Sequence, residues 1–153
     1  ITPDSHIRVR QARKSDSKQI WEIRNHVLVR NQSGNSDLIQ YSAHIDWFSK
    51  KYFSYSPHRC FVLEEKNNVI GYCRMDKIDE KTYEVSHAIK PGNHGRGFGS
   101  FLLSTAIHRL PKNSNFTAQI KKGNTASYLF FTKNKFVVTK TDETYYYVRY
   151  THD

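Results

Sequence analysis

The chain has 153 residues, a length typical of one domain and short for two. Nine Phe, ten Tyr and two Trp argue against a disordered chain, because disordered chains lack large apolar groups. Lys and Arg number 24 against 14 Asp and Glu, which gives a formal net charge of +10. Such an excess favours an anionic partner: nucleic acid, an anionic membrane or a phosphate-bearing small molecule. We expect residues 1–153 to form a single domain.

Several classes of protein are excluded by what the sequence lacks. No apolar run is long enough to span a membrane, and the first residues do not have the pattern of a signal peptide. The eight His residues show neither HExxH nor a Cys/His cluster, so we predict no metal site. We expect a cytoplasmic protein in which Cys60 and Cys73 are reduced, although a hairpin turn at Lys66 and Asn67 would set them opposite each other.

Hydrophobic spacing predicts the element order β-α-α-β-β-β-α-β-α-β-β. A first strand is predicted at 6–12 from its alternation, and Ser15, Asp16 and Ser17 offer N-caps for a helix that continues through Leu28. After a polar stretch, the remaining elements are predicted as helices at 42–53, 97–110 and 124–134 and strands at 60–64, 69–78, 82–90, 116–120, 136–139 and 144–150. The predicted fold class is α/β (α+β), with a mixed, mostly antiparallel sheet flanked by helices.

A glycine-rich loop, residues 92–100 (GNHGRGFGS), joins a predicted strand to a predicted helix. Glycine lets the backbone approach a ligand and direct successive N–H groups into one concavity. The helix N-terminus and Arg96 add positive charge. No Lys ends the loop as in a Walker A motif, and the G-x-G-x-G spacing differs from a dinucleotide fingerprint. The loop therefore predicts a pyrophosphate cradle of another kind.

This loop and a second motif resemble those of the GNAT acetyltransferases, which use acetyl-CoA. The family's first motif, Gln/Arg-x-x-Gly-x-Gly/Ala, is matched by residues 94–99, with His94 at its first position. The second motif, Asn-x-x-Ala/Ser before an aromatic residue and Gly-Phe, is matched by residues 124–127, Phe131 and residues 135–136. With the element order, the two motifs imply a GNAT-type sheet and acetyl-CoA as the cofactor.

The resemblance also implies which residues hold this cofactor. The pantetheine arm is expected to extend the fourth strand near His87 by strand addition, and the pyrophosphate to lie on the glycine loop. The implied cofactor-binding residues are Ala88, Ile89, His94, Gly95, Arg96, Gly97, Phe98, Gly99, Ser100, Asn124, Ser127 and Phe131. Lys121 and Lys122 are expected to add positive charge for the phosphates of coenzyme A.

In this family the amine attacks the thioester directly, so a base must take the ammonium proton and the departing thiolate must be neutralised. Glu84 and His87 are both candidates for the base. They lie three residues apart, and a regular strand directs them to opposite faces. Many family members use a Tyr as the acid where this chain has Phe131. Either Tyr128, one turn earlier, is the acid, or the thiolate leaves without a dedicated one.

The N-terminal helices resemble the GNAT branch that acetylates nucleotide-linked amino sugars, as in pseudaminic acid biosynthesis. The resemblance rests on Arg24, Asn25, Val29, Arg30, Ser33, Ile39, His44, Trp47 and Phe48. It implies a polyanionic acceptor bound by Arg24, Asn25, Arg30, His44 and Trp47.

Three other functions stay open at this point. One is protein or peptide N-terminal acetylation of the ribosomal-protein type, which suits a basic enzyme. Another is a basic nucleic-acid-binding domain in which residues 145–147, three consecutive Tyr, stack on bases. The last is a GNAT fold that binds coenzyme A without transferring acetyl. We favour a small-molecule amine acceptor, without membrane or nucleic acid as a partner, and leave the oligomeric state open.

Overall fold

The structure, a computed structural model, describes residues 6–32, 37–53 and 55–152. Its elements are β1 (Ile7–Gln11), α1 (Ser17–Asn25), α2 (Val27–Arg30), α3 (Tyr41–Phe53), β2 (Arg59–Glu65), β3 (Asn68–Lys77), β4 (Thr82–Ile89), α4 (Phe98–His108), β5 (Asn115–Lys121), α5 (Thr125–Lys133), β6 (Val137–Thr141) and β7 (Tyr145–Thr151). A short 3₁₀ turn, Lys14–Asp16, precedes α1. Among the described helices, none has the length and apolar character needed to cross a membrane.

The described strands form one sheet in the order β1-β2-β3-β4-β5-β7-β6, and among them only β4 and β5 are parallel neighbours. Helices α4 and α5 pack on one face over a large apolar cluster, and α1 and α3 pack on the other face over a smaller one. The predicted mixed, mostly antiparallel sheet flanked by helices is confirmed.

The first predicted helix was wrong at its C-terminal end. The chain leaves the helical conformation at His26, whose φ of −64° and ψ of 135° are those of a strand. The His26 imidazole accepts a hydrogen bond from the Leu28 N–H at 3.1 Å and so caps α2. A side chain that binds nearby backbone in this way stabilises a helix start rather than a helix interior.

The two cysteines lie on opposite faces of the sheet, not opposite each other. The expected turn joins β2 to β3, but the register shifts by one residue within the hairpin. Cys60 therefore pairs with Arg74, and Cys73 pairs with Phe61. Since a shift of one residue turns a side chain to the other face, the two thiols are buried in separate apolar clusters. Both are free, as expected, and burial raises the pKa of the Cys60 thiol to about 12.

Strands β4 and β5 separate soon after they begin. They pair only from Thr82 to Glu84 with Asn115 to Thr117, although β4 continues to Ile89. Successive residues of β4 direct their backbone N–H and C=O groups alternately toward β3 and toward β5. Thr82 and Lys90 both form backbone hydrogen bonds on the β3 side, so the even-numbered residues are the ones bonded to β3. By that alternation, residues 85, 87 and 89 direct their N–H and C=O groups toward β5, beyond the last pair that joins the two strands.

Candidate active site

A cavity of about 780 Å³ lies where β4 and β5 separate. Residues 84–89 of β4 form one wall, and the glycine loop with the first turn of α4 forms another. Further lining residues come from α5, from Gln119 and Lys121 of β5, from Tyr72 and Arg74 of β3, and from Leu28, Val29 and Gln32 near α2. The cavity therefore joins the glycine loop to the open edge of β4.

The glycine loop has the backbone conformation that its sequence predicts. Gly95 and Gly97 have φ of 80° and 77°, and a Cβ at either position would meet nothing within 4 Å. The positive φ, rather than a lack of room for a side chain, thus explains why both positions have Gly. The space over the loop is open to a ligand. His94, Gly95, Gly97, Phe98, Gly99 and Ser100 all line the cavity. An exposed run of backbone donors before a helix N-terminus fits the pyrophosphate of acetyl-CoA.

Gly99 is explained by helix packing, unlike the other two glycines, which are explained by their positive φ. It lies inside α4, and a Cβ there would be 3.0 Å from the ring of Phe130. The missing side chain lets α4 and α5 approach closely. Ser100, one residue later, accepts a hydrogen bond from Asn134 Nδ2 at 3.1 Å and joins the same two helices.

Arg96 is not among the residues that line the cavity, and its expected role at the pyrophosphate stays a prediction. Its guanidinium bonds both carboxylate oxygens of Glu65, at 3.1 and 2.7 Å, and lies 4.3 Å from the centroid of the Phe98 ring. The Glu65 carboxylate, at the end of β2, would compete with a bound phosphate for the Arg96 guanidinium. Lys121 and Lys133 line the cavity instead, and Lys133 was missed in the sequence. Lys122 lies over the Tyr146 ring at 5.4 Å.

Helix α5 presents its motif residues to the cavity. Asn124 Oδ1 accepts a hydrogen bond from the Ser127 N–H at 3.1 Å, so this side chain is the N-cap of the helix. Its amide Nδ2 is then the group left to donate to a ligand. Asn124, Ser127 and Phe131 all line the cavity. Tyr128 does not: it packs against Tyr146, with the ring centroids 5.1 Å apart, and its candidacy as the acid stays a prediction.

The C-terminal end of α5 holds Phe131 in place. The Phe136 N–H bonds the Phe131 carbonyl at 3.0 Å, and the Lys135 N–H bonds the Thr132 carbonyl at 3.1 Å. These are the two bonds of a Schellman motif, and its hydrophobic contact joins Phe131 to Phe136 at 5.0 Å. Lys135 has φ of 71° at the position where the motif ordinarily has Gly, so the departure from the family's Gly-Phe has a backbone cost.

Glu84 and His87 face opposite sides of the sheet. Val85, which shares the face of His87, belongs to the cluster under α4 and α5, whereas Ala88, which shares the face of Glu84, belongs to the cluster under α1 and α3. Glu84 is exposed. The His87 ring stacks on Phe130 at 4.6 Å, and burial lowers its pKa to about 4. His87 is therefore a neutral imidazole at pH 7.

Two of the predicted acceptor-binding residues stabilise the connection between helices. Asn25 Oδ1 accepts the Ile39 N–H at 2.8 Å, and the Asn25 carbonyl accepts Arg30 Nε at 2.9 Å. Neither Asn25 nor Arg30 lines the cavity, and their expected contact with the acceptor stays a prediction. Ser33 lies outside the described residues.

The other three predicted acceptor-binding residues come together beside the cavity without lining it. The Arg24 guanidinium lies 4.3 Å from the centroid of the Trp47 ring and donates to His44 Nδ1 at 2.9 Å. His44 is buried, and burial with the nearby Arg24 charge lowers its pKa to about 4. These three residues therefore lie together beside the cavity, and their expected contact with the acceptor stays a prediction.

Arg74 lines the cavity on this side and was missed in the sequence. It lies opposite Ser86 in the β3–β4 pairing, on the face toward α1 and α3. The available signal was a charged residue between the apolar residues Cys73 and Met75 of the strand, since Arg is rarely buried at such positions without a partner. Asp76, two residues later, is also buried there.

The comparisons with known proteins agree with this geometry. Residues 19–136 match the family model described as Acetyltransferase (GNAT) family. A solved structure of yncA from Salmonella typhimurium with its cofactor acetyl-CoA is 24% identical, with a TM-score of 0.81, covering 97% of this chain and 95% of that one. An N-acetyltransferase from Staphylococcus aureus Mu50 is 22% identical, with a TM-score of 0.79 and coverage of 96% and 99%.

A third solved structure has the same fold. The ribosomal-protein-alanine N-acetyltransferase from Brucella melitensis is 18% identical, with a TM-score of 0.76, covering 94% of this chain and 99% of that one. A search of curated proteins finds no match to the sequence.

Proposed function

The chain belongs to the GNAT acetyltransferase family, an acetyl-CoA-dependent family of N-acetyltransferases, and we propose that its acceptor is the primary amine of a nucleotide-linked amino sugar. One observation carries the choice of acceptor: Arg24, Lys51 and Arg74 all lie around Trp47, beside the cavity. A nucleotide-linked sugar is polyanionic and would satisfy these charges. We also propose that residues 1–153 act as one domain.

The cofactor end of the cavity is proposed to bind acetyl-CoA chiefly through the backbone. The pyrophosphate fits the N–H groups of the loop from Gly95 to Gly97, with Lys121 and Lys133 as nearby cations. The pantetheine arm fits the open edge of β4 at residues 85, 87 and 89, with Asn124 on the opposite wall. Acetyl-CoA supplies the acetyl group as a thioester, which an amine attacks directly.

The faces that Glu84 and His87 occupy separate their proposed roles. Glu84 is exposed on the acceptor side, and within the described residues no ion pair engages its carboxylate. We assign it as the base that takes the proton from the acceptor ammonium, directly or through water. His87 lies on the α5 side, where its neutral ring can donate one N–H to the departing sulfur. His87 would thus stabilise the departing thiolate by a hydrogen bond, without transferring the proton that an acid such as Tyr128 was expected to supply.

A binding experiment followed by an activity screen tests the proposal. Acetyl-CoA should raise the melting temperature, because a ligand that binds only the folded state stabilises it. Thiol release should then appear with nucleotide-linked amino sugars. No thermal shift at saturating acetyl-CoA would contradict the assignment of the cavity to this cofactor.

The same screen separates the alternatives. Release with peptides that have free N-termini, and none with amino sugars, would replace the proposed acceptor with a peptide. A thermal shift without release for any amine would indicate a protein that binds coenzyme A and does not transfer acetyl.

A further inference from the structure

Three cations surround one aromatic ring on the acceptor side of the sheet. The guanidinium groups of Arg24 and Arg74 lie 4.3 and 5.1 Å from the centroid of the Trp47 ring, and Lys51 Nζ lies 5.7 Å from it. We call these four residues the Trp47 cluster. They come from α1, α3 and β3, so the cluster forms only when the two helices pack on the sheet.

The described residues supply one carboxylate to this cluster. Asp76 accepts from Lys51 Nζ at 3.1 Å and from Arg74 Nη1 at 3.4 Å, and it also accepts from the Tyr52 hydroxyl at 2.6 Å. No ion pair joins Arg24 to a carboxylate anywhere in residues 6–32, 37–53 and 55–152. Positive charge therefore exceeds negative charge within the cluster.

This excess is costly in a partly buried position. Burial and the neighbouring Arg74 charge lower the pKa of Arg24, so the fold disfavours its charged form there. Arg74 Nε is buried, and no group in the described part of the chain forms a hydrogen bond with it. A buried N–H of a charged group without an acceptor destabilises a protein, unless a ligand supplies that acceptor. Both observations indicate an anion that completes the cluster.

Arg74 links the cluster to the reacting end of the cavity. It lines the cavity, and its Cα lies opposite Ser86, on the face of the sheet that also carries Glu84. Glu84 and Ser86 are two residues apart on β4, about 7 Å at the rise of a strand. A group held by Arg74 would therefore lie within about one sugar ring of an amine at Glu84.

We propose that Arg74, assisted by Arg24, binds an oxyanion of the acceptor close to its amine and so determines acceptor specificity. The planar guanidinium fork suits a carboxylate or a phosphate, because either can accept two parallel hydrogen bonds. This inference rests on the proposed acetyltransferase function and narrows its acceptors to amines with a nearby negative charge. It excludes simple polyamines.

Matched acceptors test the inference. The phosphate arm compares a nucleotide-linked amino sugar with the free amino sugar, and the carboxylate arm compares an amino acid with its amide. In at least one arm the anionic member should have a kcat/KM at least tenfold higher in the wild-type enzyme, mainly through a lower KM. The arm that shows the preference identifies the oxyanion. Equal use of both members in both arms would overturn the inference.

Variants assign the preference to residues. Arg74→Met should reduce the preference to less than threefold, and Arg74→Lys should restore part of it, because Lys keeps the charge and loses the fork. Arg24→Met is the second variant, because it does not disturb the bonds that Asp76 forms with Lys51, Arg74 and Tyr52. Lys18→Met, an exposed cation on α1, is the control and should keep the wild-type preference. A full preference retained by both Met variants would also overturn the inference.

A fluorescence readout is independent of turnover. Trp47 is one of two Trp residues, and an anion between the guanidinium groups should change its emission. Inorganic phosphate is titrated with coenzyme A at saturation, so that the glycine loop is occupied. The change should disappear in Trp47→Phe and weaken in Arg24→Met; a change that persists in Trp47→Phe would contradict the site.

Failure of the inference is distinguishable from failure of the proposed function. Without a thermal shift by acetyl-CoA, the proposed function fails. If acetyl transfer proceeds equally with neutral and anionic amines, the function stands and the oxyanion site fails.

Discussion

The two ends of the cavity are built in different ways. The cofactor end consists of one loop, the N-terminal turn of α5 and the open edge of β4, and it presents mainly backbone groups. The proposed acceptor end has charged side chains in it or beside it, from α1, α3, β3 and β4. A site made of backbone tolerates different side chains, whereas a site made of side chains changes its ligand with single substitutions. The cofactor end is therefore suited to one ligand, and the acceptor end to selection among amines.

The largest effect is expected at the acceptor end from Glu84→Gln. The amide cannot take the ammonium proton, so kcat should fall by about 10²–10⁴-fold. Affinity for acetyl-CoA should stay within twofold of wild type, because Glu84 is not part of the glycine loop. Steady-state kinetics with the best acceptor and a thermal shift with acetyl-CoA measure the two quantities. Glu80→Gln, an exposed carboxylate in the turn before β4, is the matched control. A wild-type kcat in Glu84→Gln would remove this residue from the mechanism.

Gly97→Ala should damage the cofactor end selectively. Alanine is strained at a φ of 77°, so the loop should shift and the KM for acetyl-CoA should rise about tenfold or more. The acceptor KM should change little.

The control for this variant is Gly123→Ala, because Gly123 has a φ of 95° and equally open surroundings but does not line the cavity. Both variants should lose about 1–2 kcal/mol of stability in urea unfolding. If both raise the KM for acetyl-CoA equally, strain alone explains the effect and the cradle is not supported.

Acidification should destabilise the protein through His87. In the unfolded chain a His takes up its proton near pH 6.5, whereas burial keeps the folded pKa of His87 at about 4. Between these values the unfolded state binds more protons, so stability is complete above about pH 6.5 and falls as the pH drops toward 4.

His87→Phe should lessen the loss of stability over that window by about 1–3 kcal/mol, because the ring no longer titrates. Urea unfolding of both proteins at pH 7.5, 6 and 5 measures it, with the value at pH 7.5 as the reference for any packing change. An unchanged slope would mean that His87 is already solvated in the folded protein. The buried His44 at the acceptor end should add a similar loss of its own.

The smallest effect is expected from Lys135→Gly at the end of α5. Glycine adopts a φ of 71° without steric cost, so the Schellman motif should gain about 1 kcal/mol of stability. Thermal unfolding measures the gain, and kinetic parameters should not change. Lys133→Gly, inside the helix, should lose about 1 kcal/mol and shows that the gain depends on the backbone conformation.

Local features of this protein could be predicted from the sequence. The positive φ of Gly95 and Gly97, the N-cap at Asn124 and the opposite faces of Glu84 and His87 each depend on residues within a few positions. Turn, cap and strand geometry act over that distance, so the element order and the cofactor loop could be predicted as well.

Only the tertiary structure decided which distant side chains meet. Arg96 bonds Glu65, 31 residues away, and Trp47 receives Arg24 and Arg74 from two other elements. A one-residue shift in the β2–β3 hairpin set Cys60 and Cys73 on opposite faces. Such pairings depend on strand register and on how helices pack, and register reverses a face with a single residue. The sequence by itself therefore determined the family and the proposed cofactor loop, and the tertiary structure decided which groups form the proposed acceptor end.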